Sequence, residues 1–200
     1  MTQMPRIEFW FEFASTYSYP AAMRIESLAE AHGIRVDWRV FLLGPIFKDV
    51  GWNDSPFNLY PAKGRYMWRD MERECKALGI PFGRPSAFPR NGLPASRIAC
   101  RNSDEPWMPK FVKSVYTANF ARDLDIAATE TIEECLAGCV DDPEKIILDA
   151  QSSRSKQALR VRTEEARDRG VFGAPTFFVG GEMYWGNDRL EMALSSVAGD

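Results

Sequence analysis

The sequence predicts an α/β fold in two halves, β-α-β and α-β-β-α, separated by a large all-helical insertion. Three observations predict it. Residues 6–41 switch from strand to helix to strand patterning with short connections. Residues 155–197 read as a helix, two short strands joined by Gly180-Gly181, and a closing helix. The stretch between them, 45–150, carries helical patterning and no convincing strand.

Each element has a local reason. RIEFWFEF (6–13) alternates and is rich in the aromatics that suit a pleated, half-buried surface, so it is expected to be a strand. From Tyr17 to His32, Ala21, Ile25, Leu28 and Ala29 recur at helical spacing, and Gly33 ends the run. IRVDWRVF (34–41) is the second strand, which makes a βαβ unit with parallel strands. In the tail, SKQALRVRTEEARDRG (155–170) is an amphipathic helix closed by Gly170. PTFFVGG (175–181) and EMYWG (182–186) form a hairpin, and NDRLEMALSSV (187–197) is a helix capped by Asn187 or Asp188. Helices are also expected over 61–79 and around 95–102, 106–122, 128–139 and 142–150, with a Pro/Gly-rich loop at 81–94. The expected division is an α/β domain of residues 1–44 and 151–200 and a helical subdomain of residues 45–150.

Composition narrows the function classes. With 45% hydrophobic residues there is ample material for a core. A net charge of -3 and scattered basic residues give no electrostatic footprint for nucleic acid or a membrane surface. The opening residues, interrupted by Glu8 and Glu12, resemble neither a signal peptide nor a membrane span, so a cytoplasmic protein is expected. The four cysteines (Cys75, Cys100, Cys135, Cys139) lack C-x-x-C spacing and have one histidine for company. No metal site is therefore expected, nor a disulfide framework in a reducing compartment. His32, just before Gly33, reads as a cation at the negative end of a helix.

The order β-α-β, α-β-β-α is that of the thioredoxin fold, whose reactive group sits at the N-terminus of the first helix. Ser15-Thr16-Tyr17-Ser18 occupies that place, and Pro175 stands where a cis proline opens the third strand opposite it. A serine hydroxyl cannot form a disulfide, which excludes dithiol–disulfide exchange at this site. Ser15 can cap the helix, or it can donate a hydrogen bond to a thiolate that a ligand brings. Lowering a free thiol from its pKa of ~8.5 by about one to two units makes thiolate the main form at neutral pH. Ser18, one turn later, reads as structural.

Five blocks in order resemble the 2-hydroxychromene-2-carboxylate isomerases, which group with the kappa-class glutathione transferases in the DsbA-like branch of thioredoxin folds. They are F-x-F-x-S-x-Y-S-Y (11–19), FLLGPIFKDVG (41–51), PAKGRYM (61–67), GVFGAPTF (170–177) and WGNDRLE (185–191). Two features depart from the pattern: Thr16 stands where relatives often carry proline, and GWNDSPFN (51–58) does not align cleanly. The resemblance implies a glutathione-dependent isomerase acting on an aromatic small molecule, with Ser15 stabilising the glutathione thiolate. It implies that Asn53, Lys63, Ala174, Pro175, Asn187 and Asp188 hold the cofactor, with Asn58 as a rival to Asn53. Backbone groups at Ala174 suit an added peptide strand. The opening of the last helix suits the two charged groups of a γ-glutamyl end. Trp52, Phe57, Tyr60 and Trp68 either line an aromatic cavity or pack a core. A homodimer is implied as well. The alternatives are a kappa-type transferase or peroxidase and a non-catalytic glutathione-binding module.

Overall fold

A computed structural model of the chain describes residues 4–197. The sheet has four strands: β1 (Arg6–Phe11), β2 (Arg35–Val40), β3 (Thr176–Val179) and β4 (Glu182–Trp185). Their order is β2-β1-β3-β4, with β1 parallel to β2, antiparallel to β3, and β3 antiparallel to β4. Helix α1 (Ser18–Glu30) connects β1 to β2, and the α-β-β-α half follows at the end of the chain. This is the thioredoxin-like arrangement that the order of elements predicts.

The first strand ends two residues earlier than its alternation suggests, and the reason lies in its carbonyls. The Glu12 carbonyl accepts from the Ser15 N–H at 3.0 Å and from the Tyr116 hydroxyl at 2.9 Å. The Phe13 carbonyl accepts from Asn119 Nδ2 at 3.2 Å. These partners replace a neighbouring strand, so the chain leaves the ladder and turns toward α1.

Nine further helices are described: α2 (Leu43–Asp49), α3 (Pro56–Leu59), α4 (Pro61–Leu78), α5 (Leu93–Arg101), α6 (Met108–Phe120), α7 (Thr129–Ala137), α8 (Pro143–Ala150), α9 (Ser153–Asp168) and α10 (Leu190–Val197). Proline stands in the first turn of α3, α4, α5, α6 and α8, where its missing N–H costs nothing. Helices α2 and α3 are too short to show a periodicity, and the sequence reading misses both. Residues Asn187–Arg189 form a 3-10 turn ahead of α10, and neither Asn187 nor Asp188 caps it with a side chain. That corrects the expected cap; the Asn187 side chain is engaged elsewhere, as described below.

Period-two alternation sorts β1 onto two faces. Ile7, Phe9 and Phe11 face the larger core, where Phe9 stacks on Phe177 at 5.5 Å and meets the edge of Trp38 at 5.1 Å. Trp10 faces the other way, with Phe41, Phe178 and Ala166 of α9. The larger core runs without a break from these strand residues to Met67 of α4, Phe111 of α6 and Leu136 of α7, so strands and inserted helices bury one another. Among the described residues no helix is long and apolar enough to cross a membrane.

Helix α3 lies against α4 at Gly64, where an added Cβ would stand 2.2 Å from the Phe57 carbonyl oxygen. Gly44 in α2 has nothing within 4 Å of such a Cβ. Gly64→Ala is expected to lower stability by roughly 1–3 kcal/mol, because backbone must move to admit it. Gly44→Ala is expected to raise it by about 0.5–1 kcal/mol through helix propensity. Paired thermal melts check the opposite signs.

Candidate functional site

A cleft of about 1360 Å³ opens where β1 runs into α1. The short turn after Phe11 places Ser15 at its floor, one turn before α1 is fully wound. Ser15 Oγ accepts from the Ser18 N–H at 3.3 Å and donates to the Ala174 carbonyl at 2.8 Å. The hydroxyl therefore takes up the first N–H of the helix and also reaches across to the loop before β3. The Ala174–Pro175 peptide is cis, as the position of Pro175 predicts. Thr176 Oγ1 donates to the Gly173 carbonyl at 2.8 Å, and the Gly186 N–H donates to the Pro175 carbonyl at 2.9 Å, so the loop is braced on both sides.

The structure brings Ser15, Asn53, Lys63, Ala174, Asn187 and Asp188 into this one cleft. Pro175 shapes the loop but does not line the cavity. Asn58 lies outside it, with Nδ2 donating to Asp54 and to the Phe88 carbonyl, whereas Asn53 lines it. Lys63 holds its ammonium 5.0 Å from the centre of the Tyr60 ring. Asn187 is buried: Nδ2 donates to Glu74 at 3.1 Å, and Oδ1 accepts from Arg24 at 3.0 Å. Its side chain thus ties α1, α4 and the last helical segment together and is not free to cap. Asp188 is exposed and paired with Arg189 at 2.7 Å.

The four candidate aromatics separate. Trp52 and Phe57 line the cleft, whereas Tyr60 and Trp68 do not. Trp68 packs edge-on against Phe88 at 4.9 Å, with Arg84 over its ring. Two aromatics that the sequence reading passes over, Phe172 and Trp185, form an exposed pair 4.8 Å apart at the rim. Gly173 allows that pair, because a Cβ there would stand 2.4 Å from Trp185 Nε1.

Thr16 is buried, and its hydroxyl donates to Met67 Sδ of α4 at 3.1 Å. Ser18 is buried at the start of α1 and points away from the cavity. His32 is exposed in the turn after α1. All four thiols are free, and burial raises each of them, Cys75 to about 12, which leaves them poor nucleophiles at neutral pH.

Four acidic residues of the site escape the sequence reading, Asp54 among them. Asp70 and Glu74, one turn apart on α4, line the cleft; Asp70 accepts from the Tyr17 hydroxyl at 2.9 Å. Glu12 also lines it, although only 9% exposed. Its Oε2 accepts from the Ala14 N–H at 3.0 Å, and desolvation raises its pKa from the ordinary 4.5 to about 7 against the opposing effect of that bond. The signal was present as a lone acid between Phe11 and Phe13, but alternation assigns it to a solvent-facing strand position.

The raised pKa fixes a pH dependence. Between pH 4.5 and 7 the folded chain keeps a proton that the unfolded chain has lost, so stability falls as pH rises through that window. The full penalty, on the order of 3 kcal/mol, persists above it. Glu12→Gln removes the charge and is expected to raise the melting temperature at pH 8 while leaving it near the wild-type value at pH 4. Melts at the two pH values check this.

A 2-hydroxychromene-2-carboxylate isomerase of Sphingobium xenophagum is 29% identical over 197 residues, covering 94% of this chain and 96% of its own. Human glutathione S-transferase kappa 1 is 27% identical, covering 100% of this chain and 94% of its own. A solved 2-hydroxychromene-2-carboxylate isomerase structure superposes with a TM-score of 0.85 at 26% identity, over 96% of this chain and 93% of the other. The family model of the DSBA-like thioredoxin domain matches residues 6–198, and the chain belongs to that family.

Proposed function

We propose that the protein is a glutathione-dependent isomerase acting on a conjugated aromatic keto acid of the 2-hydroxychromene-2-carboxylate type. The observation that carries this reading is the 2.8 Å bond from Ser15 Oγ to the Ala174 carbonyl at the floor of the cleft. It sets a hydroxyl, with no thiol beside it, against a cis-proline loop that can pair with a peptide.

The residues present suit glutathione. The Ala174 carbonyl has a second lone pair free for a ligand N–H beside the Ser15 bond. Lys63 offers a cation for a carboxylate, and Asp70, Glu74 and Asp188 offer anions for an ammonium. Trp52 and Phe57 offer apolar surface for an aromatic acid. When bound, glutathione supplies the nucleophilic sulfur that this chain lacks.

Ser15 holds the hydrogen bond that matters. Its hydroxyl accepts from the Ser18 N–H and donates to the Ala174 carbonyl, and with glutathione bound it would donate to the sulfur instead. The exchange replaces a neutral bond worth about 1 kcal/mol with a charge-assisted one worth about 1.5–3 kcal/mol. Ser15 therefore favours the thiolate over the thiol, while Asn53, Lys63 and Ala174 orient the tripeptide.

Ser15→Ala is expected to raise the pKa of the bound thiol by about one unit, the equivalent of one lost charge-assisted bond. Ultraviolet titration of thiolate absorbance reads the shift, and an unchanged pKa rejects this role. Calorimetry with glutathione and parallel assays with hydroxychromene carboxylate and chlorodinitrobenzene test the activity itself. Turnover of the latter substrate alone would favour a kappa-type transferase, and absence of glutathione binding would favour a non-catalytic module.

A further inference from the structure

A thiol that becomes a thiolate must give its proton to something, and Ser15, a hydrogen-bond donor, does not take it. Each of the cleft's other carboxylates already accepts a hydrogen bond from a side chain. Asp70 accepts from Tyr17, Glu74 from Asn187, Asp54 from Ser55 and Asn58, and Asp188 from Arg189. Lys63 is a cation and His32 lies beyond the far end of α1.

Glu12 differs from all of these. It stands three residues before Ser15, and its Oε2 is fixed by the Ala14 N–H at 3.0 Å. The Ala14 and Ser15 N–H groups both favour its charged form, no side chain donates to it among the described residues, and Oε1 is not sealed from the cleft that Glu12 lines. Gly92, just before α5, admits this oxygen: a Cβ there would meet Phe13 Cβ at 2.8 Å and stand 3.7 Å from Oε1. The ionisable neighbour of Glu12 is Tyr116 of α6, whose hydroxyl is spent on the Glu12 carbonyl; Arg90 lines the same cleft. Arg90 is held by Asn119, Ser86 and Asp123, so no cation is committed to this carboxylate.

We propose that Glu12 is a catalytic residue, the base that takes the thiol proton of the bound glutathione. The S–H bond breaks, its electron pair stays on sulfur, and the proton forms an O–H bond at Glu12 Oε1, so the cleft keeps its net charge. Burial favours the neutral acid that results, and a carboxyl group titrating near 7 is matched to a thiol lowered to the same range. The two groups then share one proton and titrate as a pair. This inference rests on the glutathione reading above.

The test counts protons. Glutathione is bound at slightly alkaline pH in buffers of different ionisation enthalpy, and thiolate absorbance is recorded in parallel. The wild-type protein is expected to form thiolate while releasing far less than one proton per site. Glu12→Gln is expected to release close to one proton for each thiolate formed, and its turnover should fall by roughly 10²-fold. Glu12→Asp, which keeps an acid, is expected to restore proton retention in part. S-methylglutathione, which has no thiol proton, is expected to bind wild type and Glu12→Gln alike, which also shows that the variant is folded. Release of a full proton by the wild-type protein overturns the assignment whatever the variants do. Failure of the wild-type protein to bind S-methylglutathione overturns the glutathione reading, and the role of Glu12 with it.

Discussion

The antiparallel pairing of β1 with β3 is the constraint on which the rest depends. Its register sets Trp10 opposite Thr176, so the residues just beyond one strand meet the residues just before the other. Ser15 and Ala174 are far apart in the chain and become hydrogen-bonded neighbours only because of that pairing. The central position of both strands, with β2 outside one and β4 outside the other, keeps this junction from shifting. The stacked rings of Phe9 and Phe177 lock the register from the core side, since a slip of one residue would turn both toward the opposite face.

Around that junction the helices serve as walls. Helix α4 contributes Lys63, Asp70 and Glu74 to the cleft from one face and buries Met67, Met71 and Cys75 with the other. Helix α6 acts from behind, because Tyr116 and Asn119 take up the carbonyls at the end of β1 and fix where the chain turns. The inserted helices therefore determine the shape of the site as well as cover it. A carboxylate left without a cation at the floor is the energetic counterpart of that arrangement. The fold tolerates a destabilising group where the chemistry has a use for it.

Much of this was legible in the sequence because the signals were local. Strand alternation, Gly33, the Gly180-Gly181 turn and the serine at a strand–helix junction each state their structure within a few residues. The order of elements then places Pro175 opposite Ser15. What was not legible depended on partners distant in the chain. Glu12 sits in an alternating run, and only Tyr116 and Asn119, from another helix, pull it out of the strand. Asn187 looks like a cap until Glu74 and Arg24 claim its side chain. Trp52 and Trp68 have equal claims on a cavity by composition, and only the fold sets Trp68 against Phe88 and leaves Trp52 on the cleft.

The bond from Thr16 to Met67 carries a consequence for motion. A proline at position 16 would have no hydroxyl to offer, and the bond from Tyr17 to Asp70 would be the remaining hydrogen bond between this segment and α4. Here a directional contact joins that loop to the helix carrying Lys63, Asp70 and Glu74. With the neighbouring bond from Tyr17 to Asp70, it fastens the loop to the wall at two successive residues. Displacement of the helix that carries the charged groups is therefore resisted by the segment that carries the serine.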